Sequence, residues 1–452
     1  MPVSALQVEN PKLRLDSQFQ GRDSLAAIEI VRSRPHNQIA AFAPKPLKGR
    51  NLEYDTNGDF PVVRSGDISE SFSEERLLRS SSEEEAFFLK RNDILISSIG
   101  QGSIGKVQLF RENGRFATVS EVTVVRVKNV SPAIVAAFLS GWYGQSQISR
   151  YVTGATGQLH LYPNDVGRIF IPEFSNDFQL KIDDLYERQI FETRAGKSAQ
   201  IVAQQDLIRH LGLAGWAPPE PLTYSAKASD ALAAGRLDAQ YFRPLFQDVE
   251  QRLQETGRAI ALSDILAVNS RGRQPIYAET GLPVVNSKHV RTNRVILDDN
   301  RTATKTGSPV QIRNGDVLMN GTGVGTIGRT AVYLHDEPSL PDNHVTVMRT
   351  DKIDPVFLSV FLNSPLGQWQ IERHIKGSSG QIELYPQDIA RIVVWDAPND
   401  VQQSVRSSVL SAFDAEHRAK SLLDAAKRAV EIAIEDSEAA AMAYLATVEG
   451  AN

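Results

Sequence analysis

The chain repeats itself, and no other feature constrains its fold as strongly. RLDSQF at Arg14–Phe19 returns as RLDAQY at Arg236–Tyr241, and PVVRSGDI at Pro61–Ile68 returns as PVVNSKHV at Pro283–Val290, both at an offset of 222 residues. RNDILISSIGQGSIGK (Arg91–Lys106) returns as RNGDVLMNGTGVGTIGR (Arg313–Arg329) with one residue added. From Val122 to Ile169 an offset of 223 then holds without a gap, with 21 identities in 48 positions. The clearest block is GATGQLHLYP (Gly154–Pro163) against GSSGQIELYP (Gly377–Pro386). Chance composition does not hold one register over that distance, so the 452-residue chain is two copies of one unit.

Both copies run in the same internal order. Alternating apolar runs come first, DILISSI and EVTVVRV in one copy, DVLMN and HVTVMR in the other, and read as strands. Asn113-Gly114 sits between two such runs and predicts a hairpin turn. Short helices are expected over Pro132–Leu139 and Pro355–Leu362, each with proline in its first turn. The GxxGQ block and a last strand, RIFIP or RIVVW, follow. Each copy ends in a long helical segment, about Asn176–Leu211 and about Asn399–Leu445. Ile182, Tyr186 and Ile190 recur at spacing four, and Val405, Val409 and Phe413 stand at equivalent positions, which suits helices that pack on each other. The pattern predicts an α+β chain divided into a first unit (1–172), a first helix (173–213), a proline-containing linker (214–235), a second unit (236–395) and a second helix (396–452).

Composition removes several classes of function. The chain has no cysteine, so disulfides, cysteine–zinc sites, iron–sulfur clusters and thiol catalysis are excluded. No apolar run approaches the ~20 residues of a membrane helix, and the N-terminus lacks the basic head and apolar stretch of a secretory signal, so a cytoplasmic protein is expected. The net charge of −5 is unevenly spread. Residues 25–172 and 258–394 each carry a net of +2, while the helices, termini and linker hold the acidity. Mildly basic globular units permit nucleic-acid binding without requiring it.

The motifs argue against catalysis. Gly100–Gly105 and Gly323–Gly328 both fit GxGxxG, but a dinucleotide or phosphate site needs a helix directly afterwards, and KVQLF and RTAVYL alternate like strands. Tight strand-to-strand turns are expected instead. No GxSxG, HExxH or Asn/Asp-Pro-Pro-aromatic motif is present, Pro341-Asp342 lacks the nearby Asp/Glu-x-Lys of a nuclease site, and the eight histidines are scattered, so no metal site is expected.

Two sets of residues remain as candidates for contact with DNA. In the GxxGQ blocks, Gln158 and Gln381 can reach a base edge beside glycines that allow close backbone approach; alternatively the block is a turn that closes the domain, with Leu161/Leu384 and Tyr162/Tyr385 in the core. Domains that read different sequences should differ where they read. The copies differ after PVV, where one has Arg64, Ser65 and Asp67 and the other Asn286, Ser287, Lys288 and His289. They differ again after the DIL/DVL strand, with Ser97, Ser98 and Gln101 against Asn320 and Thr322, and at the end of the glycine turn, with Lys106 against Arg329.

The GDVLMNGTGVGTIGR segment, the HVTVMR strand, the SSGQIELYPQDIARIVV ending, the trailing helix and the RLDAQYF start together resemble the specificity subunit of type I restriction–modification systems. The resemblance covers nearly the whole chain in both copies, although the opening Leu25–Asp59 aligns poorly with Leu262–Gly281. It implies that each β-rich unit is a target recognition domain reading one half of a gapped DNA site. It implies that the two long helices pack antiparallel, as a coiled-coil spacer that sets the distance between half-sites. It also implies a non-catalytic subunit of a phage-defence complex, with two adenine methyltransferase subunits as partners and a restriction/translocase subunit as a further one. No cofactor is expected for this chain; S-adenosylmethionine would bind the methyltransferase. The small positive charge keeps open a second reading, a protein-interaction scaffold with degenerate recognition domains, and the glycine patterns keep open a nucleotide-dependent enzyme.

Overall fold

The structure, a computed structural model, describes residues 10, 14–43, 46–68, 77–100, 102–154, 159–304, 310–377 and 380–451. It divides into two units: unit 1 holds residues 1–195 with 415–452, and unit 2 holds residues 196–414.

Unit 1 begins with α1 (Arg22–Arg32), β1 (His36–Gln38) and α2 (Ile39–Phe42). The strands β2 (Leu47–Lys48), β3 (Phe60–Val63), β4 (Leu78–Ser80), β5 (Phe87–Phe88), β6 (Ile94–Ser97), β7 (Val107–Leu109), β8 (Ala117–Thr118) and β9 (Val122–Val125) follow. Then come α3 (Pro132–Ser140), α4 (Trp142–Tyr151), α5 (Pro163–Val166), β10 (Phe170–Pro172) and the long α6 (Asn176–His210). One sheet is ordered β2-β9-β6-β7, a second β4-β3-β8-β5, and β1 pairs with β10. All four residues of β6 are buried, because successive side chains serve opposite cores: Ile94 and Ile96 pack among the helices, Leu95 packs with Phe60, Val62 and Phe116. The helix α3 is buried nearly all round, with proline in its first turn and the Ser131 hydroxyl capping the Ile134 amide.

Unit 2 repeats the plan. Its elements are α7 (Ala228–Ala234), α8 (Pro244–Glu255), β11 (Ala259–Ala261), α9 (Leu262–Ile265), β12 (Val268–Arg271), β13 (Tyr277–Ala278), β14 (Leu282–Val285), β15 (Val290–Arg291), β16 (Asn293–Val295) and β17 (Thr302–Ala303). They continue with β18 (Val317–Asn320), β19 (Thr330–Val332), β20 (Leu340–Pro341), β21 (Val345–Arg349), α10 (Pro355–Asn363), α11 (Pro365–His374), α12 (Pro386–Ile389) and β22 (Val393–Trp395). The sheet β12-β21-β18-β19 matches β2-β9-β6-β7 but is extended by β16 and β15. Asp354 caps α10 by accepting from the Val356 and Phe357 amides.

The sequence expectations for α3 and α10 agree with the structure, and α+β is its class. The hairpin at Asn113-Gly114 does not form. β7 pairs with β6, whereas β8 pairs with β3 and β5 in the other sheet, so this turn joins two layers. The second helices α4 and α11 went unread, because WYGQSQISRY and PLGQWQIERH carry a broken apolar stripe.

Both glycine turns join antiparallel strands, β6 to β7 and β18 to β19. Gly100, Gly105, Gly323 and Gly328 have positive φ, which explains the glycines without a phosphate. The same side chain holds each turn: Gln145 donates to Gly105 O and Leu139 O at 2.9 and 2.7 Å, and Gln368 donates to Gly328 O and Leu362 O at 3.1 and 2.7 Å. A buried carboxylate binds an arginine through both oxygens in each unit, Asp93 with Arg126 at 2.6 Å twice and Asp316 with Arg349 at 2.6 and 2.7 Å.

The long helices α6, α13 (Asn399–Glu435) and the shorter α14 (Glu438–Ala451) complete the chain. At ~1.5 Å per residue, α6 and α13 each extend about 50 Å. In unit 1, Ile182 and Tyr186 are buried in a core shared with Leu422, Ala426 and Val430, and Ile190 is half-buried. Glu192 meets Arg418 while Ser175 meets Glu438, so the two chain directions oppose. In unit 2, Val405 and Val409 are buried in a core with Ala203 and Leu207, and Phe413 is half-buried against it. The segment read as one helix over Asn399–Leu445 is interrupted at Asp436–Ser437, where Ser437 caps a new helix at the Ala440 amide. α14 then returns beside α6, burying Ala441 and Leu445 and pairing Glu449 with Lys181 at 2.8 Å and with Arg188.

Candidate nucleic-acid interface

After each GxxGQ block the chain lies across the end of the central sheet, fixed by the same backbone hydrogen bonds in both units. In unit 1, His160 exchanges two with Thr153 at 2.7 and 2.9 Å, and Leu161 N–H donates to Ser98 O at 2.9 Å. In unit 2, Glu383 exchanges two with Lys376 at 2.8 and 2.9 Å, and Leu384 N–H donates to Gly321 O at 2.9 Å. Leu161 and Leu384 are buried, as a closing turn requires. Their neighbours Tyr162 and Tyr385 are not in the core: Tyr162 is 46% exposed and Tyr385 half-exposed. Alternation puts Leu inward and its two flanking residues outward.

The outward side chains differ between units. His160 stacks on Tyr162 with centroids 6.1 Å apart and an interplanar angle of 22°. At the equivalent place Glu383 lies beside the Tyr385 hydroxyl and pushes that phenol up. The Arg271 guanidinium sits 5.6 Å from the Tyr385 ring centre and 3.8 Å from the Glu383 carboxylate, with its Nε donating to Asn343 O at 2.8 Å. Lys376 Nζ binds buried Asp388 at 2.8 Å. Across the bridge from Glu383, the Thr322 hydroxyl meets His344 Nδ1 at 2.7 Å. Ile99 and Glu121 hold the corresponding positions in unit 1.

Of the residues picked out from sequence in unit 1, Arg64 is half-exposed and paired with Asp67 at 3.0 Å. Lys106 is exposed. Ser65 is buried and donates to Glu121 at 3.0 Å; Ser98 is buried against the Thr123 hydroxyl at 2.5 Å; Ser97 is buried with no partner for its hydroxyl. Gln101 and Gln158 lie outside the described residues.

In unit 2, Asn286 and Ser287 are half-buried, and Lys288 is exposed and paired with Asp299 at 2.9 Å. His289 is buried, its Nδ1 accepting from the Asn286 amide at 3.1 Å, and burial followed by the Lys288 charge lowers its pKa. Asn320 is buried, donating to Ser287 O at 3.1 Å. Thr322 and Arg329 are half-buried, the latter donating to Gly325 O at 3.1 Å, and Gln381 is exposed.

Ser65, Ser97, Ser98, His289 and Asn320 are therefore corrected from contact candidates to parts of the interior. Strand ends covered on both faces hide short polar groups that look solvent-exposed from sequence. The sequence reading also passed over His160 and Glu383. The signal was present: inside a nearly identical block, QLHLYP (Gln158–Pro163) and QIELYP (Gln381–Pro386) differ most at this one position, an imidazole against a carboxylate.

No group of three or more His, Asp or Glu among the described residues is placed to hold a metal ion. No helix among them is long and apolar enough to cross a membrane.

No family model and no curated protein matches the chain. Solved structures do. The S subunit of a type I restriction–modification system from M. genitalium is 14% identical, with a TM-score of 0.43 over 88% of this chain and 94% of that one. The chain is similar to type I S subunits over about 90% of its length. A second structure, described by complex assembly and conformational transition of a type I system, is 13% identical with a TM-score of 0.31, covering 91% of this chain and 96% of that one. The HsdS subunit from Thermoanaerobacter tengcongensis is 13% identical with a TM-score of 0.28, covering 91% and 95%.

Proposed function

We propose that this chain is the sequence-reading, non-catalytic subunit of a DNA-methylating complex, each unit contacting one half of a two-part DNA site and the long helices serving as the spacer. One observation carries the reading: the two units repeat a buried frame in detail, down to Asp93–Arg126 and Asp316–Arg349, yet differ in chemistry where that frame presents exposed polar groups. Duplicated scaffolds with unequal polar faces are what recognition of an asymmetric, gapped sequence requires. The internal duplication and the resemblance of its motifs to type I specificity subunits support two adenine methyltransferase subunits as partners, with S-adenosylmethionine bound by them.

Co-expression with a cognate methyltransferase subunit in a host free of other DNA methylation, followed by single-molecule methylation mapping, tests the proposal. Modified adenines at one gapped, asymmetric motif are the expected result. An intact complex that methylates without sequence preference would overturn it. Assembly with partners that is indifferent to DNA, with no salt-dependent DNA binding, would instead favour a protein-interaction scaffold.

A further inference from the structure

We infer that His160 and Glu383, two residues at one and the same position of the repeated scaffold, set the base preference of units 1 and 2. This rests on the DNA-reading function proposed above. The argument begins with the backbone. Both residues are held by three corresponding hydrogen bonds, two to the 153/376 position and one from the next residue to the 98/321 position, so the two side chains leave the same point of the same frame. His160 stacks on an outward tyrosine two residues on, and Glu383 stands beside the hydroxyl of the corresponding tyrosine. What changes is the hydrogen-bonding character. An ionised carboxylate only accepts, whereas a neutral imidazole offers one donor and one acceptor.

The surroundings of Glu383 hold its carboxylate in one orientation. Gly321 makes this possible: a Cβ there would lie 3.0 Å from Leu384 O and 3.4 Å from the Arg271 guanidinium. Unit 1 has Ser98 at that place, its hydroxyl turned to Thr123, and Lys48 in the strand position of Arg271. The smaller residue in unit 2 thus admits a planar cation that braces the carboxylate from behind at 3.8 Å, and 39% of the Glu383 side chain stays open to solvent. An oriented acceptor of this kind matches the exocyclic amino group of cytosine in the major groove, and an imidazole donor matches the N7 and O6 acceptors of guanine. Arg271 is a positioning residue here; Glu383 and His160 make the contact.

The test is selection from a random duplex DNA pool by the full chain in complex with its methyltransferase subunits, with sequencing of the bound fraction. Wild-type complex is expected to select a two-part motif. Glu383→Gln is expected to move the preference at one position of one half from cytosine toward adenine, since an amide pairs with the N6/N7 edge. The change in base ratio should be on the order of 5- to 150-fold. His160→Glu should alter one position of the other half only, toward cytosine. Both side chains reach solvent, and circular dichroism melting of each variant identifies any loss of fold; Arg271→Lys, which keeps the charge but not the plane, should broaden the same position as Glu383→Gln. An unchanged motif in folded Glu383→Gln and His160→Glu complexes overturns this inference and leaves the DNA-reading function standing. A wild-type complex that selects no motif overturns both.

Discussion

In unit 1 the Ser98 hydroxyl binds Thr123; in unit 2 Gly321 replaces that serine and the Thr346 hydroxyl is buried without a partner. The Arg271 guanidinium fills the vacated side. A second exchange lies at the last residues of α4 and α11. Tyr151 packs edge-on against Phe19 with centroids 6.1 Å apart, and His374 packs in the same manner against Tyr241 at 6.0 Å. Around these exchanges the frame is constant: Arg14 and Arg236 each bind an aspartate two residues on, and Gln147 and Gln370 each close a two-way bond with the last strand. The contrast shows how a duplicated domain diverges. Groups that satisfy buried backbone or charge from both sides are kept, while a buried side chain changes where a neighbour fills the space it leaves, as Arg271 does beside Gly321.

The largest expected effect tests whether the two frames are equal. Asp93→Ala and Asp316→Ala each leave a partly buried arginine without its carboxylate, and each should cost about 3–5 kcal/mol. Chemical denaturation that finds one far cheaper than the other would break the equivalence of the units.

Acid should separate them next. Burial, followed by the Arg373 charge, holds His374 at about 4, below the 6.5 of an ordinary histidine. The unfolded chain therefore takes up a proton below pH 6.5 that the folded unit refuses until about pH 4, so stability contributed by neutral His374 is lost as pH falls through that window, by about 3 kcal/mol in all. Tyr151 has no imidazole to protonate. Amide hydrogen exchange should show α11 losing protection relative to α4 between pH 7 and pH 5, and His374→Tyr should abolish the difference.

Gln145→Ala and Gln368→Ala each deprive two backbone carbonyls of their donor and should cost about 2 kcal/mol apiece, with faster exchange in the glycine turns. The smallest effect is the most discriminating. Thr123→Val should cost about 1 kcal/mol by removing the Ser98 bond, whereas Thr346→Val, which removes an unpartnered hydroxyl, should be neutral or slightly stabilising. Thermal melts of the two variants check this, and equal losses would mean that Thr346 has a partner in solution.

The sequence by itself determined the duplication, the α+β class, the starts of α3, α10, α6 and α13, and the role of the glycines as strand-to-strand turns. Except for the duplication, which is read by setting the chain against itself, these are local: proline and cap residues and apolar periodicity speak through neighbours a few positions apart. Tertiary structure decided which strands pair. Asn113-Gly114 has every local mark of a hairpin, yet β8 is captured by β3 because the buried faces of Val62 and Ala117 meet across 55 residues of chain. Tertiary structure also decided exposure. Ser97, Ser98 and Asn320 are polar and lie at strand ends, but helices on one face and a second sheet on the other seal them, while Tyr162 and Tyr385, apolar enough for a core, are turned outward by the two-residue alternation that buries Leu161 and Leu384. Periodicity fixes which side chains share a face; only the assembled layers fix which face is covered.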